Sequence, residues 1–270
     1  MTDKTELAQI PKGMEGMITY DRPTGADGGV LGNEGIGRDD ILMPRLGLAQ
    51  KMSPEIDPTS PKRIEGLEFT DLFNSLSRMV YGKGPLHFVI LRRDNPRWVE
   101  FNPIDQGGGI KDMNVPPGDP RTEFTTGPDG QRVKPVATMF YDFIVLLLND
   151  FDPSAPLENV VALSLKSSAI KAAKHLNFLV QQRGRKLICK GVYELTTGHE
   201  VDKKTQGVYA IYKIRNAGWL TADSPLEKMV VEMFEAWKDR RVTVDTEGPT
   251  REPGADDFDP NTLEGQTTDM

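Results

Sequence analysis

The sequence predicts a mainly β protein, a small antiparallel barrel with one helix inserted late in the chain and a second helix at its end. Several runs have strand composition, and the clearest helical pattern follows most of them. Strands and helices do not alternate and no segment repeats, which argues against a doubly wound sheet and a solenoid. The two ends are poor in hydrophobic residues, so roughly 200 residues remain for a single core.

The chain opens with a predicted flexible arm, residues 1–38, in which glycine dominates and no hydrophobic period occurs. Its glycine run lacks the Lys-Ser or Lys-Thr ending of a phosphate loop. We expect order to begin near Asp40, where ILMPRLGLAQ has strand composition. Pro44 lies early in this run and favours an edge strand or a bulge.

The next segment, LHFVILRRDNPRWVEF, predicts a β-hairpin. Its two β-rich runs are Leu86 to Leu91 and Arg97 to Phe101, with Pro96 at the end of the intervening residues. A long excursion rich in glycine and proline follows, from Asn102 to Lys134. Loops of this length inside a compact domain are usually functional or disordered.

The apolar centre of the chain predicts two buried antiparallel neighbours, MFYDFIVLLLND and ENVVALSLK. The run AIKAAKHLNFLVQQRG then predicts a helix with a serine cap and with Gly184 as its stop signal. Two further strands are predicted in KLICKGVYELTT and GVYAIYKIR.

A second helix is predicted over Pro225 to Arg241, capped by Asp223 or Ser224, within a C-terminal segment 223–244. The strands and the inserted helix before it, residues 39–222, suit a partly open Greek-key barrel such as the oligonucleotide-binding fold.

The acidic charge of the chain is concentrated at its end. Residues 245–270 hold eight acidic side chains and one basic one, a balance of −7 that equals the net charge of the whole chain. The rest of the chain is therefore neutral, and Lys166 to Arg215 holds eleven Lys and Arg against three acids. We interpret the chain as a neutral body with a basic region and a disordered acidic tail, compatible with a polyanionic partner.

Several function classes are disfavoured. One cysteine, Cys189, cannot form an intramolecular disulfide and suits a reducing cytoplasm. With three scattered histidines it offers no metal-ligand spacing, so no metal or cofactor is expected. The start is unlike a signal peptide, and the longest apolar stretch, Phe143 to Leu148, is too short to span a membrane. No catalytic motif is present, which predicts a non-enzymatic protein.

Basic and aromatic residues interleave on the strand-like runs, a pattern that single-stranded nucleic acid requires because cations follow the phosphates while rings stack on unpaired bases. Strand alternation places Tyr209 on one face with Lys213 and Arg215, and Tyr212 on the core face. The predicted contacts are Arg92, Arg93, Arg97, Trp98, Phe101, Lys171, Lys174, Arg185, Lys186, Lys190, Tyr193, Tyr209, Lys213 and Arg215. The alternative is that the basic runs are ordinary solvated faces and the aromatic residues belong to the core.

The acidic tail has two interpretations. It could occupy a cationic groove until DNA displaces it, and dock basic pockets on partner proteins. Phe258 favours docking, because it lies among Asp256, Asp257 and Asp259 as an anchor would. The alternative is a tail that only confers solubility.

Several segments together resemble bacteriophage single-stranded-DNA-binding proteins of the oligonucleotide-binding-fold type. They are ILMPRLGLAQKMSPE, IEGLEFTDLFNSLSRMVYG, HFVILRR with RWVEF, ALSLKSSAIKAAK and VYAIYKI, and the likeness covers Ile41 to Gly218. The resemblance implies a groove lined by the residues around Arg93, Trp98, Tyr193 and Tyr209. In bacterial single-strand-binding proteins the aromatic residue of the tail closes the chain, whereas twelve residues follow Phe258 here.

The sequence thus predicts a sequence-tolerant protein that coats and protects single-stranded DNA during phage replication or recombination in the host bacterial cytoplasm. Its expected partners are single-stranded DNA and, through the tail, replication or recombination proteins, with no membrane. The oligomeric state is open, a homo-oligomer included. A phage structural or assembly protein and a strand-annealing recombination protein are the alternatives.

Overall fold

A computed structural model describes residues 43–103, 109–182, 187–202 and 206–238. These residues form antiparallel β-sheets and two α-helices, so the mainly β prediction is confirmed. The predicted arm 1–38 and the acidic tail 245–270 lie outside the described residues. No helix in the described ranges combines the length and apolarity needed to cross a membrane.

The strands and helices follow in chain order. The strands are β1 (Leu46–Leu48), β2 (Leu72–Asn74), β3 (Val80–Gly82), β4 (Leu86–Arg93), β5 (Arg97–Phe101), β6 (Ile110–Val115), β7 (Thr125–Thr126), β8 (Arg132–Val133), β9 (Thr138–Leu147), β10 (Val160–Lys166), β11 (Gly191–Val201) and β12 (Val208–Trp219). The helices are α1 (Ile170–Gln182) and α2 (Pro225–Trp237).

The central sheet has the order β12-β11-β4-β9-β5-β6, and β10 pairs with the other edge of β9. The ladder between β9 and β10 runs antiparallel from Leu146 opposite Val160 to Phe140 opposite Lys166. The two runs at the apolar centre are therefore buried neighbours, as predicted. β1, β2 and β3 form a separate small sheet, and β7 pairs with β8.

The predicted hairpin between β4 and β5 is wrong. Both strands pair antiparallel with β9, with Arg93 opposite Phe143 and Arg97 opposite Phe140, so they run in the same direction as one interrupted strand. The Asp94 amide still donates to the Asp142 carbonyl at 3.0 Å, whereas Pro96 has no N–H to donate. Residues that resemble a turn locally thus mark a break in a long strand, because β9 supplies partners on both sides of the break.

The late elements agree with the sequence. β11 and β12 pair antiparallel from Gly191 opposite Trp219 to Val201 opposite Val208. α2 begins as predicted, since the Ser224 hydroxyl accepts a hydrogen bond from the Glu227 amide at 3.1 Å. Its predicted end at Arg241 lies outside the described residues. α1 follows a short 3-10 helix, Ser167–Ala169.

The central sheet buries hydrophobic side chains on both faces. On one face Phe88, Val145 and Leu163 pack with Leu46 of β1 and with Leu176 of α1. On the other face α2 packs against the sheet through side chains such as Val230 and Trp237. Alternation along each strand assigns the two faces, because successive side chains point to opposite sides.

A gap separates β10 from β12, and residues 44–50 span it; we call this gap the seam. On one side the Ala162 amide donates to the Pro44 carbonyl at 2.8 Å. On the other, the Gln50 side chain donates to the Ala210 carbonyl at 3.0 Å and accepts from the Ala210 amide at 2.7 Å. Strand pairing among the described residues therefore does not close a barrel.

Candidate nucleic-acid interface

Three strands place two cations and an aromatic ring in one row. Arg97 on β5 lies opposite Phe140 on β9, and Phe140 lies opposite Lys166 on β10. The Arg97 guanidinium lies 4.9 Å from the centre of the Phe140 ring, and the Lys166 Nζ lies 5.6 Å from it. Phe101 joins the row, with its ring 6.1 Å from that of Phe140 and 5.8 Å from Lys166 Nζ. We call these four residues the β9–β10 surface.

Burial and hydrogen bonding fix the geometry of this surface. Phe140 is only 4% exposed, whereas Phe101 and Lys166 are half-buried. Arg97 Nε donates to the carboxylate of Asp142 at 2.6 Å, and the Ser164 hydroxyl donates to the same carboxylate at 2.6 Å. The ion pair holds the Arg97 guanidinium in place while offsetting part of its charge.

The surface lies on the side of the sheet that α2 covers, because Phe140 and Ile144 share one side of β9 and Ile144 belongs to the cluster that includes α2. A cation next to a partly exposed ring can contact a phosphate while the ring contacts a base. Arg97 and Lys166 are cations of this kind here, and Phe101 is the partly exposed ring.

Trp98 does not join this surface. It lies opposite Met139, so alternation places it on the other face of the sheet from Arg97 and Phe101. Of these three predicted contacts, Arg97 and Phe101 therefore share a face and Trp98 does not. Trp98 itself is half-buried. Of the other two predicted contacts in this segment, Arg92 pairs with Asp94 at 2.5 Å and Arg93 is exposed.

Tyr193 belongs to the core rather than to a binding groove. Its side chain is 0% exposed and its ring centre lies 5.5 Å from that of Phe88. The prediction that Tyr193 contacts nucleic acid is wrong for this structure, because a base cannot stack on a ring that is fully covered. β-rich aromatic residues commonly serve such a core, and the sequence does not distinguish the two roles.

The predicted alternation along β12 is confirmed. Ala210 and Ile214 are buried and Tyr212 packs against the core, whereas Lys213 and Arg215 are exposed on the other face. The Lys213 side chain extends over Gly198 of β11. A Cβ at position 198 would come within 2.9 Å of the Lys213 Nζ. This face forms a second basic surface.

Two carboxylates on β11 bind the polar groups of this second surface. Arg215 makes two contacts of 2.7 Å with Glu194, which raises the pKa of Arg215 and lowers that of Glu194. The half-buried Tyr209 hydroxyl donates to Glu200 at 2.9 Å. Burial first, and then this hydrogen bond, raises the pKa of Tyr209 to about 12.

The remaining predicted contacts are dispersed. Lys190 pairs with Glu227 of α2 at 2.8 Å, and this hydrogen bond raises the pKa of Lys190. Lys171 and Lys174 are exposed on α1, away from the buried Ala173. Arg185 and Lys186, and the tail residues Asp256, Asp257, Phe258 and Asp259, lie outside the described residues.

Sequence reasoning did not single out Phe140 or Lys166, although both complete the β9–β10 surface. Each lies near the end of a predicted strand, and only the register across three strands brings them together with Arg97. An aromatic residue and a lysine at equivalent ends of predicted neighbouring strands would have been the available signal.

The excursion after β5 is anchored by one arginine. Arg121 contacts Glu100 at 2.6 Å, Asp112 at 3.1 Å and Asp119 at 2.8 Å. Its hydrogen bonds lower the pKa of Asp119 to about 2. This part of the excursion, which the sequence left as functional or disordered, is thus tied to β5 and β6.

The described residues offer little for metal binding or for a cysteine nucleophile. Within the described ranges, no three His, Cys, Asp or Glu side chains lie close enough to hold a metal ion. Cys189 is buried, and desolvation raises the pKa of its thiol to about 11. The thiol is therefore almost fully protonated at neutral pH, whereas a nucleophilic cysteine needs its thiolate form.

Comparison with known proteins identifies a family for this chain. The model of a protein family described as Pam3 phage gp34-like protein matches residues 17–243 of the chain. No curated protein and no solved structure matches it.

Proposed function

The chain belongs to the family of Pam3 phage gp34-like proteins, and from this premise we propose that it is a phage protein that binds single-stranded DNA without strong sequence preference. In this role the protein coats and protects single-stranded DNA during phage replication or recombination in the host cytoplasm. Binding rather than catalysis is its role.

The observation that carries this proposal is the row of Arg97, Phe140 and Lys166 with Phe101 beside it. Base stacking on an aromatic side chain contributes about 1–3 kcal/mol per base and is tolerant of sequence. Phe101 is the half-buried ring of this surface and is the proposed stacking platform. Lys166 Nζ lies 5.8 Å from the centre of that ring and is the proposed contact for the phosphate of the stacked nucleotide.

The strand order supports an oligonucleotide-binding type of barrel. If β4 and β5 count as one first strand, β9, β10 and β11 follow as the second, third and fourth, and they lie in the order β11-β4-β9-β10. A fourth strand that returns by a long connection to lie beside the first defines a Greek key, and here α1 lies in that connection. In oligonucleotide-binding folds the second and third strands carry the ligand, and these correspond to β9 and β10.

The proposal is tested by fluorescence anisotropy with labelled oligo-dT over a series of salt concentrations. Each phosphate contacted by a cation contributes about 0.7 to the slope of log affinity against log salt for single strands. Lys166→Ala should weaken binding and reduce the magnitude of the slope by about 0.7. Phe101→Ala should weaken binding by about 1–3 kcal/mol with little change in slope.

The matched control is Lys228→Ala, which removes an exposed lysine from α2. It should leave affinity and slope close to those of the unmodified protein. Absence of salt-dependent oligo-dT binding by the unmodified protein would refute the proposal and favour a structural or assembly role. Acceleration of pairing between complementary strands would identify a strand-annealing protein instead.

The acidic tail is proposed to compete with DNA for the basic surfaces and to dock partner proteins. Removal of residues 245–270 should then tighten oligo-dT binding, because the tail contributes a charge of −7. Unchanged or weaker affinity would contradict the competition.

A further inference from the structure

A pocket opens at the seam, next to the β9–β10 surface. Its cavity has a volume of about 90 Å³ and lies between residues 45–50, the end of β10 and β12. Phe140 and Lys166 line it together with Arg45, Ser168 and Tyr212. Two residues of the proposed DNA-binding surface therefore also form one wall of this pocket.

The charge of the pocket favours an anion. Arg45 and Lys166 are its basic residues, and Glu55 is the one acidic residue among the described residues that line it. Arg45 is half-buried and makes no ion pair with any described residue, while its backbone amide is held by the Ser75 hydroxyl at 2.9 Å. An arginine side chain presents a planar fork of donors that matches the oxygens of a phosphate.

The available hydrogen-bond donors and the size of the pocket restrict which anion it can bind. Ser164 and Ser168 both line the pocket, and the Ser164 hydroxyl is already bonded to Asp142. A cavity needs about 10–15 Å³ to hold one water-sized group, so about 90 Å³ accommodates on the order of six such groups. A phosphate with its four oxygens fits this space.

We propose that the seam pocket binds one phosphate group of the DNA strand between Arg45 and Lys166, with Ser168 as a further donor. This inference rests on the function proposed above and adds an anchor for the backbone beside the stacking platform. A nucleotide stacked on Phe101 places its phosphate next to Lys166, and the pocket continues from Lys166 toward Arg45. The anchor fixes the path of the strand and carries no sequence information.

The test uses the full chain with Arg45→Gln, which removes the charge but keeps a polar side chain of moderate length. Arg63→Gln is the matched control, because Arg63 is exposed and does not line the pocket. Inorganic phosphate is titrated against each protein at constant ionic strength, and oligo-dT binding is measured over a salt series. Arg45→Gln should weaken phosphate binding at least tenfold and reduce the oligo-dT salt slope by about 0.7, while Arg63→Gln changes neither.

A second variant, Ser168→Glu, places a carboxylate in the pocket and leaves Arg45 intact. It should abolish phosphate binding and weaken oligo-dT binding. If the unmodified protein binds oligo-dT but both pocket variants behave like Arg63→Gln, the phosphate anchor is refuted and the proposed function stands. If the unmodified protein binds no oligo-dT, the proposed function and this inference both fail.

Discussion

Replacement of Gln50 by alanine is expected to destabilise the fold by about 2–4 kcal/mol, because this side chain bridges the seam. Gln50 is 7% exposed, and its amide makes two hydrogen bonds to the backbone of Ala210, which is 1% exposed. Alanine would leave one amide and one carbonyl of Ala210 without a partner, and each such buried group costs about 1–3 kcal/mol. Because the adjoining cavity lets water reach the amide and carbonyl of Ala210, the expected cost lies in the lower part of the sum for these two groups.

Urea denaturation monitored by tryptophan fluorescence measures this cost. The urea concentration at the midpoint of unfolding should fall. The dependence of the free energy of unfolding on urea concentration should stay the same, since the surface exposed on unfolding hardly changes. Gln50→Glu should be intermediate, because a carboxylate can accept from the Ala210 amide but cannot donate to its carbonyl. Gln182→Ala is the control, an exposed glutamine at the end of α1 that should change stability by no more than about 0.5 kcal/mol. If Gln50→Ala is as mild as this control, the amide does not hold the seam.

Two further predictions concern single side chains. Tyr193→Ala should reduce the free energy of unfolding by about 3–5 kcal/mol, because it empties a fully buried site, whereas Tyr193→Phe should leave oligo-dT affinity unchanged. A loss of affinity in a folded Tyr193→Phe protein would contradict the core assignment. The pKa of Asp119 is about 2, mainly because Arg121 donates hydrogen bonds to its carboxylate. Since this pKa is depressed, the stabilisation exists above the ordinary value of 3.8 and is lost as the pH falls toward about 2. Carboxyl titration by NMR should show this midpoint, and Arg121→Ala should return it toward 3.8; an unchanged midpoint would refute the assignment.

Elements with a strong local signal were predictable from the sequence. The apolar runs of β9 and β10 and the helical period of α1 each depend on residues close together in the chain. The cap of α2 was predictable for the same reason, since Ser224 bonds an amide three residues away. The relation between β4 and β5 was not, because Asp94, Asn95 and Pro96 fit either a turn or a break, and pairing with β9 decides between them.

The candidate site shows the same division. Alternation along β12 correctly separated Lys213 from Tyr212, since period two is a property of the strand itself. The association of Arg97 with Lys166 could not be predicted, because it depends on the register of three strands separated by long stretches of chain. The error on Tyr193 has a related cause, since a tyrosine is equally suited to a core and to a stacking surface.

The sequence by itself determined the mainly β composition, the positions of both helices, the alternation of faces along β12 and the concentration of negative charge in residues 245–270. Only the tertiary structure decided which strands are neighbours, where the seam lies and which cations share a surface. The physical reason is that backbone donors and acceptors are the same in every strand. The choice among partners is therefore made by side-chain packing between residues that are distant in the chain.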